Sequence, residues 1–178
     1  MLSNYEKAVE LIMLNKNLVD LDFYHCSEEV ISQVKSLLNI QLPNSYIKFL
    51  KDIGYLSFGC ISILGIRSND LPKSAIIDWT LDERNNWGMP KDLVIIEDEG
   101  LDGESYCLQI NEEDPDKSPI VAYVHPDVPI EVLAPDFGTY LLQRVQWAIQ
   151  VHKEDLEEEK QKESAKAPQE KMVQDELF

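Results

Sequence analysis

At 178 residues, with 44% of them hydrophobic and a formal charge of −17, the chain has apolar material for one folded domain plus a tail, and needs no disulfide or metal to hold a core. No run approaches the ~20 apolar residues of a membrane span, and a field of that sign repels nucleic acid and anionic membranes while attracting basic proteins. Three widely spaced cysteines, Cys26, Cys60 and Cys107, argue against a disulfide framework and for a reducing compartment, where each is read as a small buried side chain.

Ser3 and Glu6 form an S-x-x-E capping box, behind which Tyr5, Ala8, Val9, Ile12 and Met13 make a helical stripe. Residues 15–22 read as a loop. Ser27 caps a second helix with Glu28 and Glu29 in its positive first turn. Val30, Val34, Leu37 and Leu38 are its expected buried face, and Asn39 suits a left-handed stop. The run from Leu42 to Ile66 reads as helix, glycine stop, turn and strand. Pro43 takes the first helical position. Tyr46, Phe49, Leu50 and Ile53 follow at i, i+3, i+4 and i+7, and Gly54 ends the helix. Ile61, Ile63 and Leu64 lie in a short β-rich run closed by Gly65.

Ala75, Ile76, Ile77, Trp79 and Leu81 fit a short helix that exits at Asn85-Asn86-Trp87-Gly88. The continuous apolar run 93–96 reads as a strand buried on both faces. In 106–110, Tyr106, Leu108 and Ile110 alternate with Cys107 and Gln109, the pattern of a half-buried strand. Residues 120–124 make another apolar strand, and 130–133 a short edge strand. Asp136 caps a last helix striped by Phe137, Tyr140, Leu141, Val145, Ala148 and Ile149. Helices, then strands with short loops, then a closing helix predict an α+β domain whose sheet is largely antiparallel and flanked by helices. Its expected extent is residues 1–152. Residues 153–178 form a charged tail of nine acids and five lysines, −4 of the total −17. The tail reads either as a solvated helix to about residue 167, before Pro168, or as disorder. The N-terminus lacks the basic region of a signal peptide, and no N-x-S/T sequon occurs, so the cytoplasm is the expected address.

The densest chemical feature is 97–116, with nine acids and no Lys or Arg. They gather at both ends of the 106–110 strand. If 93–96 and 106–110 pair, Glu97, Asp98, Glu99, Asp102 and Glu104 belong to the hairpin loop. The segment from Asp98 departs from an EF-hand calcium loop at Gly100 and at Gln109, where a bidentate Glu is required. Loop acids of this kind read as solvated rather than as a pKa-split acid–base pair, and beyond solubility they suit electrostatic docking of a basic partner. His25, His125 and His152 stand at no metal-binding spacing, no nucleotide loop or nucleophile elbow occurs, and no catalytic residue, metal or cofactor is assigned. Trp79 is expected in the core and Trp87 equally in core or interface. Either is the candidate aromatic anchor for a partner.

The LP-x-x-Y-x-x-F-L-x-x-x-G run at 42–54, I-x-I-L-G at 61–65, D-L-V-I-I at 92–96 and A-P-D-F-x-x-Y-L at 134–141 resemble the SUKH superfamily. The branch is that of the Smi/Knr-type fungal cell-wall regulators and many bacterial immunity proteins. Ile53 and Tyr123 depart from the Asn and Trp usual there. The resemblance implies a single α+β domain without enzymatic activity. Bacterial members bind and neutralise a contact-delivered toxin, often a basic nuclease or deaminase domain, and the alternative is a regulatory or scaffold module of the fungal kind.

Overall fold

The computed structural model describes residues 2–68, 71–98, 104–124 and 131–175, with side chains throughout except at 98 and 163–175. Helix α1 (Asn4–Leu14) starts at the expected capping box: the Ser3 backbone N–H donates to Glu6 Oε2 at 2.9 Å, and the Glu6 N–H donates to Ser3 Oγ at 3.2 Å. Tyr5, Ala8 and Ile12 are buried, while Met13 faces out. The segment expected as loop contains a 3-10 turn, Lys16–Leu18. Helix α2 (Glu28–Leu38) is capped by Ser27 and ends at Asn39 with φ 54°. Its buried line is Ile31, Val34 and Leu38; Leu37 is exposed.

Helix α3 (Asn44–Asp52) buries Tyr46, Phe49 and Leu50. Pro43 is its N-cap, not its first helical residue, and offers no side-chain acceptor to the first turn. Asp116, from the second acidic loop, supplies the acceptor instead: Asn44 donates its backbone N–H to Oδ1 and its side-chain amide to Oδ2, both at 2.7 Å. Past Ile53 the chain turns at Gly54 (φ 78°), where an added Cβ would lie 1.9 Å from the Tyr24 carbonyl oxygen. Strands β1 (Leu56–Phe58) and β2 (Ile61–Ile63) then form an antiparallel hairpin. The first of these strands is not among those the sequence predicts.

Helix α4 (Ala75–Asn86) precedes the main sheet, β3 (Leu93–Asp98), β4 (Glu104–Gln109), β5 (Ile120–Val124) and β6 (Glu131–Ala134), an antiparallel meander in chain order. The expected α+β plan holds. Helix α4 seals the outer edge of β3, which would otherwise present unpaired backbone groups. Thr80 Oγ1 accepts from the Ile95 N–H at 3.1 Å, and Arg84 donates to the carbonyls of Leu93 (2.8 Å) and Leu38 (2.7 Å). Thr80 therefore takes the inward position, and Trp79, expected in the core, is turned out at 40% exposure.

Helix α5 (Phe137–Asp175) lies on the other face of the sheet. Tyr106 meets its Tyr140 ring at 6.2 Å, whereas the neighbouring Cys107 feels the charges of Glu83 and Arg84 on α4. Successive strand residues point to opposite faces, so the sheet is sandwiched between the two helices. Cys107 is accordingly buried, where alternation alone predicts a solvated position. Asp136 caps α5 by accepting the Thr139 N–H at 2.8 Å. Phe137 packs edge-on against Tyr46 (4.8 Å) and Phe49 (5.3 Å) at the centre of the core.

Beyond its buried stripe α5 continues as a charged helix supported by the Gln150–Glu154 and Glu158–Lys162 contacts, 2.7 and 3.2 Å. It does not stop before Pro168. The proline removes one backbone bond, while Glu, Lys, Gln and Ala on either side keep intrinsic helix propensity high. Among the described residues no helix is long and apolar enough to cross a membrane.

Candidate partner-binding surface

The acids of 97–116 do not share one fate. Glu97, expected to be solvated and available to a partner, is 3% exposed. A register shift between Ile95 and Glu97 breaks the alternation of β3, and a bulge of this kind re-aims the side chain that follows it. The carboxylate turns under α5. Its Oε2 accepts the Tyr140 hydroxyl at 2.6 Å, and Arg144 grips it as a fork, Nη2 to Oε1 at 2.6 Å and Nε at 3.1 and 3.2 Å. Burial first, and then the Glu97 charge, hold the Tyr140 hydroxyl far above the ordinary phenol range. Glu97 is thus an internal counter-ion, not a contact residue.

Arg144 links this buried pair to the surface. Its guanidinium carbon stands 5.7 Å from the Tyr106 ring centroid and 4.5 Å from that of Trp147. Trp147 is 45% exposed. Tyr106, Arg144 and Trp147 form one stack, set by β4 on one side and two successive turns of α5 on the other. The turn between β1 and β2 comes close: partial burial raises the Cys60 thiol above its usual range, its own backbone N–H and the Arg144 charge oppose the rise, and the Asp155 and Glu97 charges add smaller increments to it. That thiol therefore shares its surroundings with β3, the middle of α5 and the start of the α5 extension. Cys60 is exposed, unlike the buried small residue expected of it.

Of the other acids expected at the loop, Glu104 is half-buried at the start of β4, two residues from Tyr106 and on the same sheet face. Glu99 and Asp102 lie outside the described residues, as does the side chain of Asp98. At the other end of the hairpin Asp116 is committed to α3, and Asp114 pairs with Lys117 at 2.9 Å, which holds its carboxyl below the usual range. Glu112 and Glu113 remain exposed.

The two tryptophans proposed as anchors do not join the acidic hairpin. Trp79 lines a cleft of about 540 Å³ with Tyr55, Arg67 and Lys73, and Trp87, 55% exposed, follows the last turn of α4. Both belong to the α4 side of the sheet, opposite Trp147. The residue that sequence reading passes over is Trp147. Its signal is the spacing Tyr140, Arg144, Trp147 along one helix face, with Tyr140 hidden among the core stripe. No group of three or more His, Cys, Asp or Glu suited to a metal occurs among the described residues.

A family model described as SMI1-KNR4 cell-wall, SUKH_6, matches residues 28–141. A crystal structure of a protein from Pseudomonas syringae pv. tomato is similar at 14% identity and TM-score 0.49, covering 67% of this chain and 87% of that one. The family match spans α2 to the first turns of α5 and ends before Arg144 and Trp147.

Proposed function

This chain belongs to the SMI1-KNR4 cell-wall family SUKH_6, and from that premise we propose that it is an immunity protein. It binds a cognate, contact-delivered toxin in the cytoplasm and neutralises it by covering its active site or substrate groove. The toxin domain is basic, as a nuclease or nucleic-acid deaminase is where it holds phosphate. No bond is made or broken, and no metal, cofactor, nucleic acid or membrane is required. The observation that carries the reading is the charge: −17 overall, with nine acids and no cation across residues 97–116, of which Glu97 is buried against Arg144, Asp116 is committed to α3 and Asp114 is paired with Lys117. Residues 1–152 are the binding domain in this reading and 153–178 an appended arm.

Charge of this kind speeds encounter more than it strengthens the final complex. The test is therefore kinetic. The C-terminal domain of a toxin encoded beside this gene should co-purify with the chain. The variant E99K/D102K/E104K should associate about ten-fold or more slowly, with a flatter dependence on salt. Glu97 is left out because reversing it would disrupt the interior. Absence of co-purification, or an unchanged association rate in the reversed variant, rejects the reading.

A second reading, a regulatory or scaffold module, is favoured by one feature, the charged helix that α5 extends past the domain. Such a segment suits recruitment. Loss of a host protein complex on removing 153–178, in a chain that gives no protection against a neighbouring toxin, would select it.

A further inference from the structure

Trp147 is both open and held. Its inner face rests on the Arg144 guanidinium at 4.5 Å, and that guanidinium is fixed from below by the Glu97 fork and from the side by Tyr106. With one face covered and 45% of the residue still exposed, the open area lies on the outward face of the indole. A side chain immobilised before binding loses little rotamer freedom on binding, and tryptophan, tyrosine and arginine are the residues that dominate interface energetics.

The arginine behind the indole is neutralised, and the side of α5 beyond it carries acids. Glu97 balances Arg144 at 2.6 Å. Farther along α5, Glu154 and Asp155 stand at i+7 and i+8 from Trp147, on its side of the helix, and both are exposed. Glu154 is oriented by the Gln150 amide at 2.7 Å. Glu104 supplies a further acid from the sheet side. Glu158, at i+11, already holds Lys162 at 3.2 Å. An aromatic face flanked by carboxylates fits a planar cation, which can stack on the ring while its N–H groups reach the acids.

We propose that the outward face of Trp147 is an anchoring subsite for an arginine side chain of the bound protein, with the guanidinium stacked on the indole and directed at Glu154 and Asp155. The inference rests on the reading that the partner is basic, and it places the anchor on α5 rather than on α4. It also puts a specificity-bearing contact beyond residue 141, where the family match ends.

A nona-arginine peptide tests the subsite without the natural partner. Titrated into the ¹⁵N-labelled full chain, it should shift the Trp147 indole signal ahead of those of Trp79 and Trp87. W147A should weaken the peptide about five-fold or more, and W147F should recover part of the loss. W79A and W87A should stay within about two-fold of the parent. Equal affinity for W147A and the parent, or a response confined to Trp79 or Trp87, overturns the proposal. The immunity reading fails separately. A chain that stacks nona-arginine on Trp147 but captures no neighbouring toxin domain keeps the subsite and loses that reading. A chain that captures toxin with W147A undiminished keeps the reading and loses the subsite.

Discussion

Replacing Arg144 with alanine should be among the most damaging single changes available on α5. The Glu97 carboxylate is 3% exposed and the Arg144 side chain 16%. Removing the cation leaves a buried charge without its partner, which typically costs about 3–5 kcal/mol, whereas replacing both members of such a pair by apolar groups is often neutral. The truncation opens a path for water beside Trp147, which draws the ionic cost toward the lower end, about 3 kcal/mol. Loss of the cation–π contacts to Tyr106 and Trp147 adds about 0.5–1 kcal/mol. A domain of this size has roughly 5–15 kcal/mol in total, and each kcal/mol moves the melting temperature by about 2–4 °C. R144A should therefore melt about 7–16 °C below the parent.

Urea unfolding followed by circular dichroism measures the loss directly. The decisive comparison is the double variant E97L/R144M. If the damage in R144A comes from a stranded carboxylate, the double variant should be far more stable than the two single losses combined. A double variant that loses as much as the sum of E97L and R144M, or an R144A within about 0.5 kcal/mol of the parent, the range of an ordinary surface change, would show that the pair is not the internal lock that its geometry describes.

D116A should lose about 0.5–2 kcal/mol by uncapping α3, and D116N, which keeps an acceptor oxygen, should lose less; the denaturation midpoint should move with an unchanged slope. G54A should fold poorly or not at all, since the new Cβ would stand 1.9 Å from a backbone oxygen, while G88A, at φ 76° with open space around it, should lose only about 1–2 kcal/mol from the left-handed conformation; thermal melts separate the two. At pH 8 a thiol reagent should label Cys60 first. Burial pushes Cys26 to about 11 and Cys107 to about 12, so both should react only on unfolding.

Local chemistry made much of this fold legible. Capping residues, the i, i+3, i+4 stripe of α3, the left-handed Asn39 and Gly54 and the four-strand meander all follow from short-range pattern. What resisted was set by tertiary neighbours. Thr80 displaces Trp79 from the core because a sheet edge needs its hydroxyl. Glu97 counts as a loop acid by composition and as a core residue by position, and the difference is a bulge that no periodicity announces. Trp79 and Trp87 are the tryptophans that the sequence offers as anchors, whereas the stack that carries Trp147 joins β4 to a helix some forty residues later.

The role of the α5 extension can be decided by two nested truncations, one removing −2 of charge and the other −4. Residues 153–162 carry five acids and three lysines, and residues 163–178 carry four acids and two lysines, so each block removes −2 from the chain. Long-range attraction depends on net charge and should fall in proportion to the charge removed, twice as much for 153–178 as for 163–178. Contact does not. Only the first block holds Glu154 and Asp155, just over a turn past Val151, and among the described side chains the last buried one of α5 is Ala148. If the partner docks against Trp147 and the acids beyond it, removing 163–178 should slow association slightly and leave dissociation unchanged. Removing 153–178 should accelerate dissociation as well, by about five-fold or more. Stopped-flow association and surface-bound dissociation at two salt concentrations separate the terms. An association rate that falls only in proportion to the charge removed, with dissociation unchanged in both cuts, would assign the extension to steering alone and leave the indole without its carboxylate partners.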